Sequence, residues 1–107
     1  MQKISKSISL LFIVLSGILF SCNQDLPLAC IDLSTDVIYV DSLVQFNNCS
    51  LGADSYIWTF EDTIKIEEKE PFYSFHEAGQ YEISLEVKSS SKSDIVFHII
   101  NVYTPEQ

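Results

Sequence analysis

Three cysteines, two histidines and a band of carboxylates are the residues of this 107-residue chain with reactive chemistry to offer. The histidines do not suggest catalysis. His76 falls in a predicted corner at 76–79 and His98 in the last predicted strand, and no serine sits in a G-x-S-x-G elbow. Glu61 and Asp62 are neighbouring acids, but adjacent residues at a strand end point to opposite faces, and no apolar pocket is evident to shift either pKa. No catalytic residue is assigned, and an enzyme is not expected. Asp54, Glu61, Asp62, Glu67, Glu68 and Glu70 together hold enough carboxylate for Ca2+, which takes about six to eight oxygens. EF-hand spacing is absent, and Glu67-Glu68-Lys69-Glu70 reads more simply as a solvated loop. No metal or cofactor is expected, and Ca2+ is the one ion these residues would suit.

The thiols are read from the N-terminus. Lys3 and Lys6 precede an apolar run at residues 8–20, interrupted only by Ser9, Ser16 and Gly17. It is short for a bilayer span, which needs about 20 residues. Residues 1–21 therefore read as a secretory signal peptide. The run closes in Leu19-Phe20-Ser21-Cys22, which resembles the lipobox of bacterial lipoproteins, although Phe20 is bulkier than usual at its position. That resemblance implies cleavage before Cys22, diacylglycerol on its thiol, and a short tether over 22–27. It places the protein in a bacterial cell envelope, anchored in the outer membrane, on the periplasmic or the surface side. Asp25 alone is a poor match for the acidic cluster with which some Bacteroidetes-type lipoproteins reach the cell surface. With Cys22 taken by lipid, Cys30 and Cys49 remain in a compartment that permits oxidation. Cys30 lies in the predicted strand at 28–33 and Cys49 just after the one at 43–48, so antiparallel pairing brings them within reach and a Cys30–Cys49 disulfide is expected, closing a loop of about 20 residues. Two buried free thiols are the alternative.

Composition narrows the partners. The formal charge is −9, with 15 Asp and Glu against 6 cationic residues, none of them Arg. Removing 1–21 takes away two lysines and no acid, so the exported form is more acidic still. Nucleic acid binding needs clustered cations and is excluded, as is electrostatic adhesion to anionic headgroups. A hydrophobic content of 47% is too high for a disordered tail.

The elements follow from alternation. In Tyr56-Ile57-Trp58-Thr59-Phe60-Glu61 the three rings share one face of a strand, so Trp58 and Phe60 are expected in the core. Further strands are predicted at 28–33, 37–40, 43–48, 71–75, 80–87 and 95–102, with an edge piece at 64–67 and a polar loop at 89–94. Tyr81, Ile83, Leu85 and Val87 face inward, and 104–107 frays. About seven short strands with turns every 8–12 residues indicate an antiparallel, immunoglobulin-like β-sandwich over 28–103.

Val44-x-Phe46-x-Asn48-x-Ser50, Ala53-Asp54-Ser55-Tyr56-x-Trp58-x-Phe60 and Pro71-x-Tyr73-x-Phe75-x-x-x-Gly79-x-Tyr81-x-Ile83-x-Leu85-x-Val87 together resemble a PKD (polycystic kidney disease) domain over nearly all of 28–102. Where that family usually continues Trp-x-Phe with Gly-Asp-Gly, this chain has Glu61-Asp62-Thr63. Without glycines to supply φ > 0, a differently shaped loop is expected there, of the same length or longer. Glu77-Ala78-Gly79-Gln80-Tyr81 resembles the tyrosine corner of such sandwiches, which implies a bond from the Tyr81 hydroxyl to backbone upstream. Asp41-Ser42-Leu43 and Asp62-Thr63-Ile64 resemble the Asp-[Ser/Thr]-aliphatic sites of Bacteroidetes O-glycosylation and make Ser42 and Thr63 candidate acceptors, though both pairs are also ordinary turn chemistry.

PKD-like domains are generally non-catalytic modules for binding, spacing or adhesion. The resemblance implies a lipid-anchored interaction module for an unidentified protein partner. A carbohydrate-binding accessory module and an acidic inhibitor or immunity-like lipoprotein are the alternatives. Tyr39, Phe72 and Tyr103 are the aromatics left for the surface, and the sequence shows no sugar platform. Replacing Cys22 with Ser is expected to move the protein out of the detergent phase in a detergent-partition assay. Unchanged partitioning would refute lipidation.

Overall fold

The computed structural model describes residues 26–106; Cys22 and the leader lie outside them. Nine strands follow in order: β1 (Ile31–Asp32), β2 (Val37–Tyr39), β3 (Val44–Gln45), β4 (Asn47–Asn48), β5 (Ser55–Glu61), β6 (Ile64–Ile66), β7 (Phe72–Tyr73), β8 (Gly79–Ser89) and β9 (Lys92–Tyr103). No α-helix is found among the described residues. The large layer is a five-stranded sheet in the order β2-β9-β8-β5-β6. β5, β8 and β9 pair antiparallel, while β2 joins the edge of β9 in parallel. The small layer is built around residues 44–48, whose β3 pairs with β7 and whose β4 pairs with β1. Phe46 sits between the two pieces, and its N–H reaches the Pro71 carbonyl at 2.9 Å. The architecture is the expected antiparallel, immunoglobulin-like β-sandwich.

Alternation decides which side chains fill it. Residues directly opposite in antiparallel strands share a face. Trp58 faces Leu85, and Tyr81 faces Ile100. Trp58, Phe60, Ile83, Leu85, Val87 and Ile100 are fully buried, together with Phe46 and Phe75 from the opposing layer. Phe60 stacks on Tyr73 at 4.3 Å and meets Phe46 edge-on at 4.8 Å, while Trp58 lies parallel to Phe60 at 5.8 Å. These are the offset and T-shaped geometries that ring quadrupoles favour. The indole N–H of Trp58 donates to the Lys69 carbonyl at 3.1 Å, so its one polar atom is satisfied. Among the described residues no polar or charged side chain is fully buried.

Some expectations need correction. Residues 89–94 do not form a loop: β8 and β9 continue through them to Ser89 opposite Lys92, leaving a two-residue turn at Ser90-Ser91. Polar side chains do not interrupt a backbone ladder, and Ser90 takes the left-handed φ of 55° that such tight hairpin turns require. After Phe60, Asp62-Thr63 alone joins β5 to β6, and the ladder between these strands shifts register between Thr59 and Glu61. The first predicted strand, 28–33, is reduced to β1 plus an isolated bridge between Leu28 and Leu51.

The corner before β8 holds as the motif implies. The Tyr81 hydroxyl donates to the Glu77 carbonyl at 2.7 Å, and its ring packs on Phe75 at 4.5 Å. Gly79, which opens β8, has φ 156°, which side chains rarely adopt. Burial, aided by the nearby Glu61 and Glu77 carboxylates, pushes the Tyr81 hydroxyl above its ordinary pKa, so the proton needed for this bond is held tightly.

Two substitutions check the packing by denaturant unfolding. Trp58→Ala should cost about 3–5 kcal/mol, whereas Thr59→Ala on the opposite face should be mild. Equal effects would contradict the face assignment. Tyr81→Phe should cost about 0.5–1.5 kcal/mol, the worth of one hydrogen bond, and an unchanged midpoint would show that the corner bond contributes nothing.

Candidate interaction surface

β9 reads apolar on both faces, and only one face can enter the core. Val96, Ile100 and Val102 pack inward. Ile95, Phe97 and Ile99 therefore stand on the outer face of the large layer, 46%, 56% and 49% exposed. Alternate residues of a strand lie about 6.6 Å apart, so the three form a row. The adjacent β8 places Glu86, Ser84 and Glu82 beside Ile95, Phe97 and Ile99 respectively. Farther along the same face, Tyr103 lies next to Tyr39 of β2, and both rings are exposed. Contiguous exposed apolar side chains rimmed by polar ones mark interaction sites more often than isolated ones do.

The backbone adds a second feature. β2 pairs with β9 only from Asn101 to Tyr103. There the Asn101 N–H donates to Asp36 and the Tyr103 carbonyl accepts from Val40, each at 2.9 Å. By alternation the N–H and C=O groups of Ile95, Phe97 and Ile99 point off the same edge. Among the described residues no strand pairs with them. An unpaired apolar edge of this kind is a template for another chain.

β2 itself is held at both ends by the two histidines. His98 Nε2 lies 2.7 Å from Asp36 Oδ1, and His76 Nδ1 lies 2.7 Å from Asp41 Oδ1. Both side chains are thus structural ties in this arrangement. Glu61 is engaged as well: it accepts a 2.6 Å bond from the Tyr73 hydroxyl, whose pKa burial and that bond push up to about 12. Among the described residues, no group of three or more acidic, His or Cys side chains comes together as a metal site. Of the carboxylates singled out for Ca2+, Glu70 accepts from the Asn48 N–H and Asp54 from the Ser89 hydroxyl.

Among the described residues, two clefts compete with the flat face. One of about 210 Å³ opens between β2 and β3, lined by Leu33, Val37, Tyr39, Ser42 and Gln45 among others. It falls below the roughly 300–1,000 Å³ of usual small-molecule sites. The other, about 350 Å³, is lined by Phe60, Glu61, Asp62, Gln80, Tyr81 and Glu82, and three of those six side chains are acidic. Neither combines size with the apolar lining that a small ligand needs.

Cys30 and Cys49 are joined in a disulfide with a Cα–Cα distance of 4.9 Å. The Cys49 N–H also donates to the Cys30 carbonyl at 3.0 Å, so the bridge staples β1 to the chain leaving β4. Ser42 and Thr63 lie exposed in the turns after β2 and β5.

A scan against family models finds no match, and a search of curated proteins finds none. Solved structures do match. The PKD1 domain of Vibrio anguillarum Epp superposes with a TM-score of 0.63 at 28% identity, covering 75% of this chain and 96% of that one. The PKD1 domain of the Vibrio cholerae metalloprotease PrtV gives 0.61 at 27%, covering 74% and 99%. The fold is that of a PKD domain. A structure from work on promiscuous carbohydrate-binding modules of the β-sandwich superfamily gives 0.69 at 23% identity, covering 74% of this chain, which spans 35% of that longer chain.

On this PKD-type scaffold Tyr39, Phe72 and Tyr103 are exposed as the sequence reading expects. The row at Ile95, Phe97 and Ile99 is not among its expectations. Its signal is present in the sequence: a strand apolar at every position from 95 to 100 except His98, in a two-layer fold where one face must meet solvent.

Proposed function

We propose that this chain is a lipid-anchored, non-catalytic binding module of the bacterial outer membrane, and that it takes a protein partner on the outer face of β9. The observation that carries this reading is the row of Ile95, Phe97 and Ile99, in which exposed apolar side chains and unpaired backbone groups belong to the same residues. Glu82 and Glu86 flank the row, and the exported chain is strongly acidic, so a partner with basic residues around an apolar centre fits best. The PKD1 likeness supports a module that binds rather than catalyses. Within the same reading, Ser42 and Thr63 serve as glycan acceptors on exposed turns.

A carbohydrate ligand is the second reading. It is favoured by Tyr39 and Tyr103, partners across the β2–β9 ladder with exposed side chains, and by the likeness to the carbohydrate-binding module structure. The two readings separate by site and by salt. In crosslinking from intact cells, the triple variant I95S/F97S/I99S should lose the partner crosslinked to wild type, and recovery of that partner from purified protein should fall as ionic strength rises. The triple variant should keep its folding stability to within about 0.5 kcal/mol, because exposed positions contribute little. If it crosslinks like wild type, the β9 site is wrong. Glycan retention that is insensitive to salt and lost in Tyr39→Ala and Tyr103→Ala would establish the second reading instead.

A further inference from the structure

A second apolar group lies on the other layer, at the end where the tether enters. Leu26, Leu28 and Leu51 are 60%, 56% and 66% exposed. They share one face. Leu28 and Leu51 exchange both backbone bonds, at 2.9 and 3.0 Å, so their side chains are directly opposed. Burial alternates through exposed Leu26, buried Pro27 and exposed Leu28, which sets Leu26 beside Leu28. Gly52, next to Leu51, takes the left-handed φ of 70° and lies against the Leu26 backbone. Ala29 and Ile31 pack against the core, so the leucines look outward from the small layer. Phe72 of β7 is exposed on that same outer side, opposite exposed Gln45.

We infer that this face of the small layer rests on the bilayer, with Leu26, Leu28 and Leu51 dipping into its interface. The inference rests on the lipid-anchor reading of Cys22. The occupant is set by chain length. Three residues separate Cys22 from Leu26, so the two Cα atoms, four steps apart, lie at most about 14 Å from one another. A lipid on Cys22 therefore holds the leucines next to the acyl boundary, where apolar side chains partition about 5–10 Å deep. Insertion is apolar, so it is compatible with a chain too acidic for electrostatic adhesion to anionic lipid. It also points the row on β9, which lies on the opposite layer, away from the membrane.

The test uses the full lipidated protein in phosphatidylcholine vesicles containing lipids brominated near the top of the acyl chains. A tryptophan is introduced by Leu51→Trp, and separately on the opposite layer by Phe97→Trp. Trp58 is buried and gives a constant background. The added emission of Leu51→Trp should be largely quenched, that of Phe97→Trp should not, and Leu26→Ser with Leu28→Ser should restore the emission at 51. That last arm separates docking by the patch from insertion of the probe alone. Equal, unquenched emission at 51 and 97, with mass spectrometry showing diacylglycerol on Cys22, overturns the docking and leaves the anchor standing. The same is true if quenching at 51 persists without the two leucines. An unmodified Cys22 overturns the anchor and the docking with it.

Discussion

The sandwich depends on Phe60. Its ring touches both layers, lying against Trp58 on its own strand and against Phe46, Tyr73 and Phe75 across the interior. The small layer has no long strand of its own. β1, β3, β4 and β7 are two residues each, and so short a ladder does not stand alone. These pieces hold their places because Phe46, Tyr73 and Phe75 project from them into the aromatic cluster.

What the core does not fix, short polar ties do. Asn48 is the clearest case. Its N–H donates to Glu70, its amide N–H to the Lys69 carbonyl, and its side-chain oxygen accepts from Ser50, so one residue couples the end of β4 to the segment before β7. The disulfide fixes the same end of the layer from the other side. A loop of that length is worth about 3 kcal/mol on the chain-entropy model, a large share of the roughly 5–15 kcal/mol of a small domain. His98 with Asp36 and His76 with Asp41 perform the equivalent task for β2, which crosses to the large layer and has only three paired residues.

These two kinds of constraint explain how legible the fold is in the sequence. Trp58, Phe60, Tyr81, Ile83, Leu85 and Val87 declare their faces because their strands are polar on one side and apolar on the other. The Tyr81 corner is readable because a Gly two residues before a Tyr at a strand entry has few other uses. The turn at Ser90-Ser91 is hidden because serine does not advertise a positive φ as Asn-Gly would. The connection after Phe60 is hidden for a related reason: a register shift is a property of the pair of strands, and neither strand shows it alone. The exposed row is hidden because β9 is apolar on both sides, so alternation there is silent about which face is covered.

That double-sided apolarity is an argument about function. A strand buried on one face in a two-layer sandwich needs apolar residues only at alternate positions. β8, its neighbour, follows that rule with Glu82, Ser84 and Glu86 outward. β9 departs from it at three successive outward positions, beside an edge that β2 covers only in part. The leucines depart from it on the opposite layer, at the N-terminal end of the described residues. Each departure leaves the free domain with apolar surface that its own packing does not explain. Because the two lie on opposite layers, one flat partner such as a bilayer cannot cover both. Whatever meets β9 must then be a different surface from whatever meets Leu26, Leu28 and Leu51.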